Sequence, residues 1–198
     1  RKVETRVDKK TRVETRTIIS SPDELAAATL EGFTVTEDML GNYSQTTYGR
    51  TAPSRSSEET PDGLYHLHFV PKKLTREVSA VLHIEGLNNI RSATCRLGGV
   101  AESIFLATGK TSANTVTQEF TPSNPEFSPG SPFNGTLSCE FEIFGLNVID
   151  NNNLHLDALL VDGKTEFEGD CTNVKITEND DGTGSVTLIL EASTEKVP

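Results

Sequence analysis

The sequence predicts a mainly β protein, a two-sheet antiparallel β-sandwich with one or two short N-terminal helices. Many short runs alternate between apolar and polar residues, which is the pattern of a strand with one buried face. Gly, Asn and Pro turns separate these runs at the spacing typical of a sandwich. Hydrophobic residues are 34% and aromatic residues 6% of the 198 residues, which suits a sandwich with many polar outward positions.

The predicted strands fill most of the chain after residue 63. They are expected at residues 64–70, 77–85, 90–97, 103–107, 115–120, 136–144, 154–161, 172–178 and 185–192. The apolar phases of two neighbouring pairs agree, so we expect two hairpins. In the first, a loop at 86–89 places Leu82 opposite Ala93 and Ala80 opposite Cys95. The turn at 180–184 is expected to lead into the last strand.

The second expected hairpin crosses residues 145–153. It opposes two sets of inward residues, Leu137, Cys139, Phe141 and Ile143 on one strand and Leu154, Leu156, Ala158 and Leu160 on the other. Both hairpins bury one face, and we expect their strands to have a structural role and to carry no catalytic residues.

Charged and uncharged residues largely alternate at the N-terminus, and Val-Glu-Thr-Arg occurs at 3–6 and again at 13–16. A five-residue loop at 8–12 would place Arg6 opposite Glu14 and Glu4 opposite Arg16, whereas a three-residue loop would oppose like charges. We prefer the first register if this segment is a hairpin. The alternative is a solvated edge ribbon or a disordered end, because an isolated two-stranded ribbon is marginal in water.

Two short helices are predicted after this ribbon. Ser21 as N-cap, Pro22 at the first helical position and Glu24 closing a capping box start one helix, which continues to residue 30. A second helix is expected from 36 to 40. The polar composition of 49–63 predicts an exposed linker. We therefore divide the chain into residues 1–63, a ribbon, helices and linker, and residues 64–198, the sandwich.

The charge distribution excludes one class of partner. The formal net charge is −11, although the first 16 residues hold seven Lys or Arg against three Asp or Glu. An acidic body of this kind argues against nucleic acid as the partner. No apolar run approaches the roughly 18 residues of a membrane helix. Any signal segment is expected to have been removed or to lie upstream of Arg1.

The three cysteines do not form a zinc or CxxC pattern. Cys95 and Cys139 occupy apolar phases of their strands, so we favour free structural thiols. A disulfide is the alternative, with Cys139 and Cys171 as the pair.

No motif predicts catalysis, a metal or a cofactor. His66 and His68 point the same way on a strand but have no third ligand nearby, and surface histidines are the preferred interpretation. Residues 178–183 are better explained as a hairpin turn than as a calcium loop. GxSxG, HExxH and P-loop motifs are absent from the sequence. We therefore expect that the chain is not an enzyme and needs no cofactor.

The segment 122–135 contains four prolines together with Phe127 and Phe133. One interpretation is a stiff loop that presents a preorganised binding surface. The other, which we favour, is that the two phenylalanines plug one end of the sandwich, since exposed aromatic pairs are uncommon without a partner.

Several short motifs resemble the second domain of the fimbrillin-like proteins, which are fimbrial subunits, anchors and related surface lipoproteins of anaerobic Gram-negative bacteria. These motifs lie at 70–76, 86–89, 97–99, 107–109 and 142–145. The resemblance covers about residues 21–198, with 20–25 similar to the connector after the family's first domain. The chain differs from the family in having no lipobox cysteine and no complete first domain.

The resemblance implies transthyretin-like sandwiches, export to the cell surface, outer membrane or a fimbrium, and adhesion. Membrane attachment would come only through an upstream lipid anchor outside this chain. Polymerising members assemble by strand donation, so the expected partners are other fimbrial subunits or surface proteins that pair through strands. The expected partner-binding residues are Val3, Thr5, Val7, Val13 and Thr15 of the ribbon, which pairs with a sheet edge of its own chain or of a neighbour. The alternative function is a surface glycan- or ligand-binding domain that uses Phe127 and Phe133, with a host or glycan ligand.

Overall fold

The computed structural model describes residues 2–7, 13–35, 67–147, 152–180 and 186–198. The chain forms two compact units, one of residues 1–26 together with 73–198 and one of residues 27–72. In the smaller unit the described residues include a turn at Glu31 and Gly32. The predicted division after residue 63 falls outside the described residues and stays a prediction.

The described part of the chain is mainly β, as the sequence predicted. Its strands are β1 (Lys2–Val7), β2 (Val13–Ser20), β3 (Ala26–Ala27), β4 (Lys72–Lys73), β5 (Arg76–Glu85), β6 (Ile90–Ala101), β7 (Ile104–Phe105), β8 (Lys110–Thr111), β9 (Thr115–Phe120), β10 (Asn124–Phe127), β11 (Asn134–Ile143), β12 (Leu154–Leu160), β13 (Glu166–Asp170), β14 (Thr172–Asp180) and β15 (Val186–Ser193). A short 3-10 helix, Leu87–Asn89, lies between β5 and β6.

Two sheets pack over one core in the larger unit. Sheet I has the strand order β1-β2-β9-β6-β12-β13, and sheet II has the order β10-β11-β5-β15-β14. Inward residues of both sheets belong to one buried cluster, which includes Val78, Ala80, Leu82, Cys95, Leu97, Leu137, Leu154, Leu156, Leu188 and Leu190. Neighbouring strands are antiparallel except for β2 with β9 and β15 with β5, which are parallel. The expectation of an antiparallel sandwich is therefore wrong for these two pairs.

Both predicted hairpins are wrong, although their inward residues are at least partly buried. β5 lies in sheet II and β6 in sheet I, and the same separation holds for β11 and β12. Instead β11 pairs with β5, which places Leu137 opposite Leu82. β12 pairs with β6, which places Leu156 opposite Cys95. Each strand thus pairs with a strand of the other expected hairpin.

The 86–89 segment explains the first of these errors. Gly86 has a left-handed backbone with φ +89°, and the following 3-10 helix buries Leu87 at 4% exposure. This connection carries the chain from one sheet to the other, a separation of about 10 Å between packed sheets. A strand with one buried apolar face can lie beside another such strand in the same sheet or face it across the core, so alternation alone does not distinguish the two arrangements.

The predicted helix at 21–30 is wrong, and no α-helix occurs in the described part of the chain. Ser21 does not cap a helix: its Oγ donates a hydrogen bond to the Glu142 carbonyl and accepts one from the Glu142 N–H, both at 3.0 Å. The backbone of Leu25 also makes a tertiary hydrogen bond, since its carbonyl accepts one from the Leu74 N–H at 2.7 Å. Tertiary hydrogen bonds therefore replace the capping box. The predicted helix at 36–40 lies outside the described residues.

Other strand predictions also differ from the structure. Residues 67–70 are not a strand, whereas β13 forms where none was predicted. β13 pairs with β12 through a turn in which the Asp162 carboxylate accepts hydrogen bonds from the N–H groups of Lys164 and Thr165, at 2.9 and 2.8 Å. The Thr165 hydroxyl and these N–H groups lower the pKa of Asp162. The expected return of the chain after residue 180 into the last strand is confirmed, since Asp180 of β14 faces Val186 of β15.

The described residues include no helix long and apolar enough to cross a membrane.

Candidate partner-binding surfaces

The N-terminal ribbon adopts the predicted five-residue-loop register. Glu4 faces Arg16, Arg6 faces Glu14 and Val7 faces Val13. Opposite charges therefore oppose each other along the two strands, which favours this register over the alternative. Of the other predicted partner-binding residues, Thr5 faces Thr15 and Val3 faces Thr17.

The end of the ribbon joins it to sheet I. Ile18, Ile19 and Ser20 of β2 pair in parallel with Thr117, Gln118 and Glu119 of β9. Ile18 is buried, with 6% of its surface exposed. The ribbon is thus joined to a sheet edge of its own chain through residues 18–20, whereas the expected pairing of residues 3–17 with a sheet edge or a neighbouring chain stays a prediction.

Ser21, the residue that follows β2, reaches sheet II. The Glu142 carbonyl, which accepts a hydrogen bond from Oγ of Ser21, also accepts one from Nε2 of Gln118 at 2.7 Å. Gln118 belongs to β9 and is fully buried. Residues 18–21 therefore connect the outer side of β9 to β11 and close this side of the sandwich. The segment 1–17 is the part of the ribbon that lies before this attachment.

The proline-rich segment forms an edge strand rather than a plain loop. β10 pairs with β11, and Phe127 faces Gly135. A Cβ atom at Gly135 would lie 2.9 Å from the Cα of Phe127 and 2.7 Å from Cδ2 of Leu87, so this close approach requires glycine. Pro125 fits because β10 is an edge strand of sheet II.

The expectation that Phe127 and Phe133 plug the sandwich is wrong, since they are 49% and 60% exposed. Phe127 lines a groove of about 310 Å³ between β6, β10 and the 3-10 helix. Its apolar lining residues include Leu87, Ile90, Pro122 and Pro125, and its polar lining residues include Asn88, Arg91, Ser92 and Ser123. A half-exposed ring beside hydroxyl, amide and guanidinium groups can contact a ligand with both apolar and polar faces.

A row of charged residues crosses the outer face of sheet I. Arg96 of β6 binds Glu119 of β9 through Nε at 3.1 Å and Asp157 of β12 through Nη1 at 2.6 Å. His155 faces Arg96 on one side and Asp170 of β13 on the other. His155 alternates on β12 with the inward residues Leu154 and Leu156, and no sequence motif includes it. Its neighbours come from three different strands, so only the pairing order shows the cluster.

The cysteines are free thiols that are protected by burial. Burial raises the pKa of Cys95 well above its usual value and raises the pKa of Cys139 and of Cys171 to about 11. Their thiolate forms are therefore scarce at neutral pH, which makes them poor nucleophiles and poor metal ligands. Of the histidines considered as a metal pair, His68 is exposed and His66 lies outside the described residues.

The chain is similar to one crystal structure, that of a candidate adhesin from Bacteroides ovatus. The sequence identity is 11% and the TM-score is 0.48. The likeness covers 85% of this chain, which spans 59% of the other chain's length. No family model and no curated protein matches this chain.

Proposed function

We propose that this chain is a structural and adhesive module of a cell surface, a fimbrial subunit, anchor or accessory lipoprotein that associates with other subunits through its N-terminal ribbon. The observation that carries the proposal is the position of β1, at the end of the strand order of sheet I with β2 on one side. An edge strand presents a row of N–H and C=O groups that can pair with another chain. The proposal includes export, an upstream lipid anchor and no catalytic step.

The charges of the two edges of sheet I support the pairing of one copy with another. The N-terminal 16 residues carry an excess of Lys and Arg, whereas β13 at the opposite edge carries Glu166, Glu168 and Asp170, which are all exposed. A contact between these edges would join two different surfaces and therefore repeat from copy to copy, as a ring if the rotation closes and as an open filament if it does not. Opposite charges would steer this association and make it weaker at high salt.

Deletion of residues 1–17 tests the proposal. The deletion removes β1 and most of β2 but keeps Ile18, Ile19 and Ser20, which complete sheet I beside β9. We expect the shortened chain to lose the self-association of the full chain and to keep a Tm within a few degrees of it. Sedimentation velocity over a concentration series, at low and high salt, measures the association.

The control variant is Lys9→Gln with Lys10→Gln, which lowers the charge of the ribbon without removing either strand. We expect it to weaken association at low salt and to keep it at high salt. Unchanged stability together with unchanged self-association after the deletion would contradict the proposed role of the ribbon.

The groove beside Phe127 favours a second candidate function, the capture of a surface glycan. Sugars present apolar C–H faces and polar hydroxyl edges, which match a half-exposed ring flanked by Asn88, Ser92 and Ser123. The prolines of this segment restrict its conformations and so reduce the entropy lost on binding.

Phe127→Ala tests this function on an array of soluble oligosaccharides, with affinities of the hits measured by calorimetry. We expect binding to become about tenfold weaker, which corresponds to about 1.4 kcal/mol. Phe105→Ala is the matched control, because Phe105 is 60% exposed but is not among the residues that line the groove. Equal losses in the two variants, or binding that is unchanged in Phe127→Ala, would rule out the groove as the site.

A further inference from the structure

Three side chains with metal-ligating atoms meet on the outer face of sheet I. His155 and Asp157 stand two residues apart on β12, and Glu168 lies directly opposite Asp157 on β13. One ligand atom of each lies within 4.8 Å of the others. We propose that His155, Asp157 and Glu168 bind a divalent transition-metal ion, with zinc as the ion that fits best.

The first argument is the orientation of His155. Its Nδ1 lies 2.8 Å from Oδ1 of Asp170, a distance at which the Nδ1–H donates to this carboxylate, and in that tautomer of the neutral ring the lone pair is on Nε2. Histidines that bind metals are oriented by this same contact between one ring N–H and a carboxylate. The side chain is held firmly, since it is only 13% exposed.

The second argument is the buried oxygen that faces this lone pair. Oδ1 of Asp157 lies 3.2 Å from Nε2 of His155, and it is buried without accepting a hydrogen bond. Leaving a buried carboxylate oxygen without a donor is costly. A cation bound by both atoms removes this cost.

The remaining contacts leave room for a third ligand. Nη1 of Arg96 holds the other oxygen of Asp157 at 2.6 Å, which fixes Oδ1 as a single ligand atom. Zinc lies about 2.0 to 2.2 Å from nitrogen and oxygen ligands, so its tetrahedral ligands stand roughly 3.4 Å apart. Glu168 is exposed on an edge strand, and its carboxylate lies within 4.8 Å of the other two ligand atoms. A rotation of its long side chain would bring the carboxylate to the spacing that zinc requires.

The local charge also favours a cation. Among the described residues, this part of the outer face brings together four carboxylates, those of Glu119, Asp157, Glu168 and Asp170, with the guanidinium of Arg96. A divalent ion would offset part of this negative charge. An imidazole with two carboxylates selects zinc or a similar first-row metal, because calcium and magnesium prefer sites made only of oxygen. The bound ion would also tie edge strand β13 to β12.

Calorimetric titration of the chelator-treated full chain with zinc chloride at pH 7.5 tests the site. We expect one equivalent to bind and the Tm to rise with zinc. We expect Glu168→Gln to weaken binding at least tenfold without altering the fold, because Glu168 is exposed. Asp157→Asn and His155→Gln are expected to weaken it further. Glu166→Gln removes a carboxylate from the same strand outside the cluster and is expected to change the affinity less than twofold.

Three results would overturn the proposal: no binding of one equivalent, equal losses in Glu166→Gln and Glu168→Gln, or full binding in His155→Gln. A cobalt-loaded chain gives a further check, since a thiolate charge-transfer band would place the metal at the cysteines and overturn the assignment. The outcome is separate from that of the ribbon deletion, because the three proposed ligands all lie on β12 and β13.

Discussion

Replacing Leu190 with alanine is expected to lower the free energy of unfolding by about 3 to 4 kcal/mol. Leu190 is fully buried in β15, where it lies between Ala80 of β5 and Ile176 of β14. Truncation here removes apolar contacts and leaves a cavity in the middle of sheet II, where neighbouring strands on both sides limit collapse. Urea unfolding followed by far-UV circular dichroism measures the loss.

Ile189→Ala is the matched control for this prediction. Ile189 is the preceding residue on the same strand and is only partly buried, so its truncation is expected to cost about 1 kcal/mol. Equal losses in the two variants would mean that the inward face of β15 is assigned wrongly.

Gly86→Ala is expected to cost about 3 kcal/mol, for two physical reasons. The residue has φ +89°, and a left-handed backbone costs a residue with a Cβ atom about 1 to 2 kcal/mol. The new Cβ would also collide with the carbonyl oxygen of Val197 and lie 3.3 Å from its Cβ. Val197 is fully buried, so displacing it exposes apolar surface worth about 1.5 kcal/mol or more.

Gly130→Ala separates the backbone cost from the cost of the collision with Val197. Gly130 has φ +82° and nothing within 4 Å of an added Cβ, so only the backbone cost is expected. Chemical unfolding gives the stabilities. Hydrogen exchange at the Val197 N–H, which donates to the Glu85 carbonyl at 2.8 Å, reports on the C-terminal contact. If both variants lose a similar amount of unfolding free energy and exchange at Val197 is unchanged, the contact between Gly86 and Val197 does not contribute to the cost of Gly86→Ala.

The sequence predicted which strand faces are buried more accurately than which strands are neighbours. Ala80 and Cys95 are both fully buried, as their alternating runs predicted. They were expected to face each other on adjacent strands, but they belong to opposite sheets. Alternation is a property of one strand and its environment, whereas strand order depends on connections such as the 3-10 helix at Leu87–Asn89.

Local signals succeeded where the partner was close in sequence and failed where it was distant. The ribbon register was predicted because Glu4, Arg6, Glu14 and Arg16 specify their own pairing. The helix at Ser21 was wrong because the competing partner, Glu142, lies 121 residues away. The cluster around His155 could not be predicted for a related reason: Arg96, His155 and Asp170 become neighbours only through the order β6-β12-β13.

The parallel pairing of β15 with β5 also constrains how the molecule can fold. β15 (Val186–Ser193) is an interior strand of sheet II, yet it pairs with a strand about one hundred residues earlier in the chain. During synthesis from the N-terminus, β5 therefore lacks one of its two neighbours, β15, until about one hundred further residues have been added. Contacts this distant in sequence fold slowly, and an uncovered strand edge is prone to pair with other chains in the meantime. The same order of events predicts that early arrest of translation leaves sheet II open along β5.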